Sequence, residues 1–396
     1  MRRRELIAAY DRNGYQVSDP AKSIYRVQGL SWRTGLPGGF LDCSFTVPLA
    51  LLREWVVKEA YTIRIWDGGR LMFIGILEDL MRSINLPNSL GRGVRQVTAF
   101  GFYINCVGRY YTGAHVADDG NTITQTALGN CPLVSVDYSL VTGLDRNLGA
   151  IEWTDTPVSD VIRDVVDFGD NATPPETFWF GVWDGSLSSD GLPQGQVHHY
   201  DVSDYDLQIP LSAISGSIGV TRTLENVSNY VTAKYGALYT TAAQDATSQA
   251  AYGQKDTLLQ AGDVPLATAQ AMRDRYLEYR RTVQDQLANI RLSSSPLTKA
   301  GAVFDMNRVR AGMRFIIPQL RLQWDQIYWI ASTDYDADSR TLGIAIGDRT
   351  EKLVPREVVI PDVPRPPGGD GYIRPPDPWR PTWPPRPRPD PVPRRT

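Results

Sequence analysis

Tyr61-Thr-Ile-Arg-Ile-Trp66, then Asp67-Gly68-Gly69, then Arg70-Leu-Met-Phe-Ile-Gly-Ile-Leu77 is the stretch that decides the fold class. The first run alternates apolar and polar residues with the period of two that a half-buried strand requires, and the second is rich in strand-forming residues. Between them stand residues that tolerate positive φ, which a tight hairpin of right-handed twist needs. A third run, Val94 to Phe102, follows Gly91-Arg92-Gly93 and extends the pair into a meander, because two strands alone are marginal in water. The turn at Asp67, Gly68 and Gly69 is expected to set the register, since a slip of one residue moves Ile63, Ile65, Leu71 and Phe73 to the wrong face. Ahead of the hairpin, Pro48 to Val57 reads as a short helix with Leu51, Leu52 and Trp55 on one side.

The rest of the chain alternates in character. Thr156 as N-cap, Pro157 at the first helical position, the spacing of Val158, Val161, Ile162, Val165 and Val166, and Gly169 past the end predict a short amphipathic helix. Thr177 to Trp183 and Gln196 to Tyr200 read as strands around a Gly/Ser/Asp-rich loop. Val227 to Tyr235 is strand-like, and Pro265 to about Arg281 is a helix with Ala269, Met272, Tyr276 and Tyr279 on one face. Met313 to Ile317, Gln326 to Thr333 and Thr341 to Ile346 read as strands, the last two joined by Asp334 to Arg340. The expected architecture is mainly β, with two β-rich blocks at 1–105 and 222–355, a mixed α/β insertion at 106–221 and an extended tail at 356–396.

Composition removes several functions. Of 396 residues, 42% are hydrophobic and 21% charged, ordinary values for globular domains, and the length suggests two to four of them. Residues 361–396 hold 14 of the 28 prolines, with seven Arg against four Asp, so the tail carries +3 and the preceding 360 residues −6. A mildly acidic body with no cationic stripe speaks against a dedicated nucleic-acid binder. Cys43, Cys106 and Cys131 have neither disulfide-framework nor zinc spacing. No apolar run approaches the 18 or so residues that span a bilayer, and the short apolar stretch after Arg2-Arg3-Arg4 ends at Asp11, so a soluble protein made in the cytoplasm is expected.

Catalytic patterns are lacking at each usual place: no G-x-S-x-G, no H-E-x-x-H, no Gly-Lys phosphate loop. His198 and His199 are neighbours on a strand and face opposite ways, so they do not converge on one metal, even with Asp201 and Asp204 nearby. His115 with Asp118 and Asp119 reads as turn chemistry. Asp334, Asp336 and Asp338 copy the opening of a calcium loop, but Ser339 and Ala345 stand where its Gly and bidentate Glu belong. Glu152, Asp155 and Asp160 flank a helix start, where acids complement the dipole. No catalytic residue, metal or cofactor is expected.

Taken together, several stretches resemble the baseplate hub, or tail hub, proteins at the tip of long-tailed bacteriophages. They are Gly38-Gly39-Phe40 leading to Cys43-Ser-Phe-Thr-Val47-Pro48, Trp66 to Gly69, Leu71 to Glu78, Leu224-Glu225-Asn226-Val227-Ser-Asn229-Tyr-Val231 with Lys234-Tyr235, and Asp245-Ala-Thr-Ser248 through Tyr252-Gly253-Gln-Lys255. The Tyr335-Asp336 to Thr341-Leu342 hairpin and Gly347 complete the set, and Lys255 stands where Arg is commoner in that family. The similarity covers about 1–350, with 110–220 matched in arrangement, and no stretch matches the lysozyme or peptidase domain that some relatives carry. The resemblance implies two tube-like barrels per chain, a homotrimer forming a pseudo-sixfold ring, and a place in the virion at the tail tip after assembly in the host cytoplasm. Implied partners are the distal tail or tube protein, the tape measure protein and tail fibre or tip proteins, with DNA present in transit. A closed wall of strands removes exposed sheet edges, and an acidic conduit does not hold passing DNA.

Two other readings stand beside it. One is a carbohydrate- or receptor-binding β protein, suggested by ten Trp and 19 Tyr, whose mark is exposed aromatics gathered on one loop face. The other is a hydrolase with two close carboxylates in a cleft. The tail after 360 has few donors and little to bury, which suits a solvated linker. In polyproline II it nonetheless aligns Pro375, Pro378, Pro381, Pro384 and Pro387 along one edge and Arg374, Arg380, Trp383 and Arg386 along another. That strip is a candidate partner-binding surface anchored by Trp379 and Trp383.

Overall fold

The computed structural model describes residues 5–11, 16, 27–48, 61–83, 94–148, 150–173, 176, 178–184, 192–199, 204–222, 224–262, 264–283, 285–320 and 327–347. Of the helix expected at 48–57, Pro48 ends a strand and the rest lies outside the described residues, as do the Gly91–Gly93 turn, Asp201 and the tail with Arg374, Trp379, Arg380, Trp383 and Arg386. The chain divides into two units, Met1–Ile360 and Pro361–Thr396.

The hairpin forms where its sequence places it. In chain order the first strands are β1 (Glu5–Tyr10), β2 (Gln28–Gly35), β3 (Gly38–Pro48), β4 (Thr62–Asp67), β5 (Arg70–Ser83) and β6 (Val94–Gly101). Asp67 pairs with Arg70, leaving Gly68 and Gly69 as a two-residue loop with φ of 55° and 81°. Positive φ at both loop positions is the type I′ geometry whose twist matches the strands. Ile63, Ile65 and Phe73 are fully buried on one face, Leu71 is half-buried, and Met72 and Ile74 are buried as well. Strand β5 is therefore covered on both sides, by Trp32, Phe40 and the 307–310 segment, which is why its sequence runs apolar without alternation.

A substitution at Gly68 isolates the backbone term, because a Cβ there would meet nothing within 4 Å. Gly68→Val forces a β-branched residue into the left-handed region at a cost of about 1–2 kcal/mol or slightly more. The expected result is a melting temperature lower by roughly 2–6 °C, with Gly68→Asn much closer to wild type. An unchanged melting temperature for the valine variant would mean that this turn does not fix the register.

The middle of the chain adds α1 (Ile104–Gly108), β7 (Tyr110–Val116), α2 (Gly120–Leu128), β8 (Ala150–Pro157), α3 (Val158–Phe168), β9 (Phe178–Trp183), β10 (Gln194–His199) and β11 (Leu207–Gln208). Helix α3 is the expected amphipathic one, with Val158, Val161, Ile162, Val165 and Val166 all buried and Gly169 ending it at φ 75°. Its N-cap is Pro157, not Thr156. Strand β8 pairs with β7 as far as Pro157, and the Thr156 hydroxyl donates to the Thr154 carbonyl instead of capping.

Thereafter come β12 (Val220–Arg222), β13 (Tyr230–Tyr235), β14 (Leu238–Tyr239), β15 (Ala243–Gln244), α4 (Ala246–Tyr252), β16 (Asp256–Gly262), α5 (Leu266–Arg280) and β17 (Asp285–Leu287). The last strands are β18 (Ile290–Leu292), β19 (Leu297–Thr298), β20 (Arg314–Ile316), β21 (Tyr328–Asp336) and β22 (Thr341–Ile346). The fold is mainly β. One curled 14-stranded sheet runs β1-β4-β5-β6-β3-β2-β21-β20-β11-β19, with β9 and β10 joined through β3, and β22 and β18 through β21.

Early and late parts of the chain therefore share one sheet through the β2–β21 seam, where Ser31 pairs with Asp336, Trp32 with Tyr335 and Thr34 with Thr333. The hydrogen-bonded grouping crosses the expected boundaries at three places, one of them the joining of β9 and β10, from within 106–221, to β3. Strand β11, from within 106–221, pairs with β19 and β20, whereas β13 to β16 and α5 form a small unit of their own around Val231, Ala233, Leu259, Ala261, Ala269 and Met272. On α5 the buried face is Ala269 and Met272, flanked by Tyr276 and Leu277. No described helix is long and apolar enough to cross a membrane.

Candidate functional site

Carboxylates suspected of chemistry are engaged in holding turns. Asp336 accepts from the backbone N–H of Asp338 (2.8 Å) and Ser339 (3.1 Å), and Asp338 accepts from Gly29 N at 2.6 Å. Because β21 continues to Asp336, the turn starts at Ala337, later than the sequence suggests. Asp119 caps α2 by accepting from Thr122 N at 2.7 Å. His115 is buried between Tyr111, whose hydroxyl lies 2.6 Å from Nε2, and Asp118, whose carboxylate lies 2.8 Å from Nδ1. Tyr111 is itself buried, so this relay ties the ends of β7 together without offering a reactive hydroxyl to solvent.

Asp160 pairs with Arg163 at 3.1 Å, and Asp155 accepts from the Thr112 hydroxyl at 3.1 Å from a backbone at φ 45°. Glu152 lies opposite Ala114 in the β7–β8 ribbon. Among the described residues no three His, Cys, Asp or Glu side chains gather as a metal site. Cys106 and Cys131 bring their sulfurs to 3.7 Å in the core, and Cys43 is buried apart from them.

The two histidines of β10 do face opposite ways. His199 is exposed and pairs with Glu176; His198 turns inward and accepts a hydrogen bond from Trp183 Nε1 at 2.7 Å. The Arg310 guanidinium lies 5.2 Å from the Trp183 ring centre and 3.7 Å from Asp184. Burial, with the Arg310 charge beside it, pushes the His198 imidazole down to about 4. In the unfolded chain it titrates near 6.5, so between pH 6.5 and 4 the unfolded state binds a proton that the folded state refuses. Stability from this site is complete above about pH 6.5 and is lost as pH falls toward 4, by roughly 2 kcal/mol once partial solvent exposure is allowed for. Urea titrations at pH 7 and 4 should show His198→Gln losing about that much less stability than wild type. Equal losses in the two proteins would remove His198 from the acid response.

The stretches 224–235 and 245–255, separate in the sequence, come together on one side chain. Asn229 is fully buried at the start of β13; its Nδ2 donates to Gly253 O (2.8 Å) and Ser248 Oγ (3.1 Å), and its Oδ1 accepts from Lys255 N at 2.7 Å. Asp245 caps α4 by accepting from Ser248 N at 2.8 Å, while its other oxygen pairs with Arg281 at 3.3 Å. Ser248 Oγ donates to the Arg281 carbonyl, closing the network onto the end of α5. The Lys255 position contributes its backbone N–H here, so the exchange of Arg for Lys leaves this network intact. A polar Asn between Val227 and Val231 was the visible signal; its partners were not. In the Trp183–His198–Arg310 cluster the first two stand on the paired strands β9 and β10, and it is the distant Arg310 that carried no local signal.

No protein-family model matches the sequence, and no curated protein matches it at a significant level. Solved structures do. A 43 kDa tail protein of prophage MuSo2 from Shewanella oneidensis superposes with a TM-score of 0.54 at 11% identity, covering 89% of this chain and 99% of that one. A tail protein from Neisseria meningitidis MC58 superposes with a TM-score of 0.56 at 11% identity, over 88% and 98% of the two chains. The fold is therefore that of phage tail proteins, matched nearly end to end on both partners. At such low identity the likeness concerns the fold, as expected where backbone pairing outlasts side-chain identity.

Proposed function

We propose that this chain is a structural hub of a phage tail tip, part of a ring that continues the tail tube, joins it to distal fibre or tip proteins and lets DNA pass. The observation that carries the reading is the near-complete coverage of both tail proteins, which leaves little of either chain for a different architecture. In this reading the blocks around 1–105 and 222–355 supply two wall segments per chain, with β9 and β10 added to the first and β11 to the second, and the rest of 106–221 lies outside the wall. Three copies then give six segments. The neighbours are the distal tail or tube protein and the tape measure protein on one side and fibre or tip proteins on the other.

The role is non-enzymatic. Purified protein is expected to turn over neither peptidoglycan nor polysaccharide, and activity lost on Glu152→Ala or Asp160→Ala would overturn this. A carbohydrate-binding role finds no support in surface aromatics: among the described residues Tyr110 and Tyr239 are the strongly exposed ones, and they belong to different sheets. The tail is proposed to lie on a neighbouring subunit or tip protein through Arg374, Trp379, Arg380, Trp383 and Arg386, so deleting 361–396 should spare the folded body and weaken that attachment. Gold-labelled antibody on purified virions tests the placement. Label confined to the tail end is expected; label along the tube or on the capsid contradicts the proposal.

A further inference from the structure

Between the first hairpin and the 305–310 segment lies a cavity of about 480 Å³ with an apolar floor and a cationic mouth. Trp32, Phe40, Met72, Ile74 and Val309 are buried and form the floor, while Arg64, Arg70, Arg308 and Arg310 stand around the opening with the half-buried ring of Trp66. The three carboxylates here are all engaged. Asp184 pairs with Arg310 at 3.7 Å, Asp305 with Arg308 at 3.8 Å, and Asp67 accepts from Asn307 Nδ2 at 2.7 Å.

Two guanidinium groups remain. Among the described residues neither Arg64 nor Arg70 has a carboxylate within 4.0 Å; Arg64 instead lies 4.6 Å over the Tyr10 ring. Arg64 Nε and Asn307 Oδ1 are buried at the cavity with no hydrogen-bond partner. Buried polar atoms are nearly always paired, so a donor and an acceptor left open at one cavity point to a ligand that supplies both. Guanidinium groups take planar anions in a two-pronged grip, which selects carboxylate or phosphate. The apolar floor selects a ligand with a hydrophobic body beside that anion. A cavity of this size holds a few side chains. Nucleic acid is disfavoured, because a backbone of phosphates needs a continuous row of cations and would meet Asp67, Asp184 and Asp305 at this mouth.

We propose that this cleft is a docking site for a short acidic segment of a neighbouring protein, its Asp or Glu carboxylate held by Arg64 and Arg70 and an adjoining apolar or aromatic side chain seated on the Trp32–Phe40–Met72 floor. Binding is measured on the isolated full chain, so the outcome is separate from the tail-tip reading. The probes are the peptide Ac-Glu-Phe-Asp-Leu-NH2, its neutral counterpart Ac-Gln-Phe-Asn-Leu-NH2 and a thymidine dodecamer, each titrated by calorimetry in low salt. The acidic peptide should bind with a dissociation constant of about 1 mM or tighter and at least roughly tenfold more tightly than the neutral one. Arg64→Gln and Arg70→Gln should each weaken it about five- to tenfold, and Arg291→Gln, an exposed arginine elsewhere, should not. If a variant fails to fold, the comparison of the two peptides on unchanged protein still decides. Equal or absent binding of the two peptides overturns the proposal, as does undiminished binding to folded Arg64→Gln and Arg70→Gln, or displacement of the peptide by the dodecamer.

Discussion

Gly101→Ala should leave little folded protein, the largest effect expected of a single added methyl group among the described glycines. A Cβ at Gly101 would lie 1.7 Å from the Phe40 carbonyl oxygen and 2.5 Å from its carbon, which is backbone and has no rotamer to change. Gly101 pairs with Gly75, whose own Cβ would lie 2.6 Å from Phe100 O, so two opposed glycines let β5, β6 and β3 close on one another. Overpacking against side chains costs about 1–3 kcal/mol; with rigid backbone on both sides at least about 4 kcal/mol is expected. The melting temperature should fall by roughly 10 °C or more, or the protein should be recovered insoluble. Gly108→Ala is the control: it ends α1 with nothing within 4 Å of a new Cβ, and it should be neutral or stabilise by a few tenths of a kcal/mol to about 1 kcal/mol. Matching melting curves for the two variants would mean that the three strands do not approach as described.

Asn229→Ala should melt the small unit around β13 to β16 and α5 while the 14-stranded sheet persists. Removing the amide leaves Gly253 O and Lys255 N, partly buried groups of exposed residues, without their partner, and the buried Ser248 hydroxyl loses one of its two bonds. A fully buried group left unpaired costs about 1–3 kcal/mol and these are in part open to water, so a local loss of roughly 2–3 kcal/mol is expected. The unit's own core consists of seven buried residues, several of them Ala, which leaves little to absorb that loss. Hydrogen exchange should show protection falling across 230–280 and unchanged at 63–77. Uniform loss of protection would mean that the two regions unfold as one; no loss would mean that the Asn229 bonds contribute nothing net.

Local features were legible because their causes are local. The two-residue turn at Gly68 and Gly69 requires positive φ, and Val158 to Val166 has helical spacing, so each could be read within a dozen residues. The N-cap was misread by one residue because Thr156 is still paired in a strand, a fact that resides in Tyr111 across the ribbon. Pairing of β2 with β21 was beyond reach, since a strand's period tells which face is buried but not which strand lies beside it. Strand β11 is two residues long, too short to show a period, although it links β19 to β20. Of the site, the sequence displayed Asp245, Ser248, Gly253 and Lys255 as a pattern, yet the amide that unites them stands on another strand. Gly101 was visible as the end of a strand, and the reason that it must be glycine is the Phe40 carbonyl.

The proposed function requires that the two β-rich blocks form wall segments of a ring. Electron microscopy of the purified or virion-associated oligomer, with its mass measured in parallel, tests this most directly. Three copies arranged around an open channel are expected, with a wall of β-structure that approximates sixfold symmetry. A monomer under assembly conditions, or an oligomer of another symmetry with no channel, would contradict it.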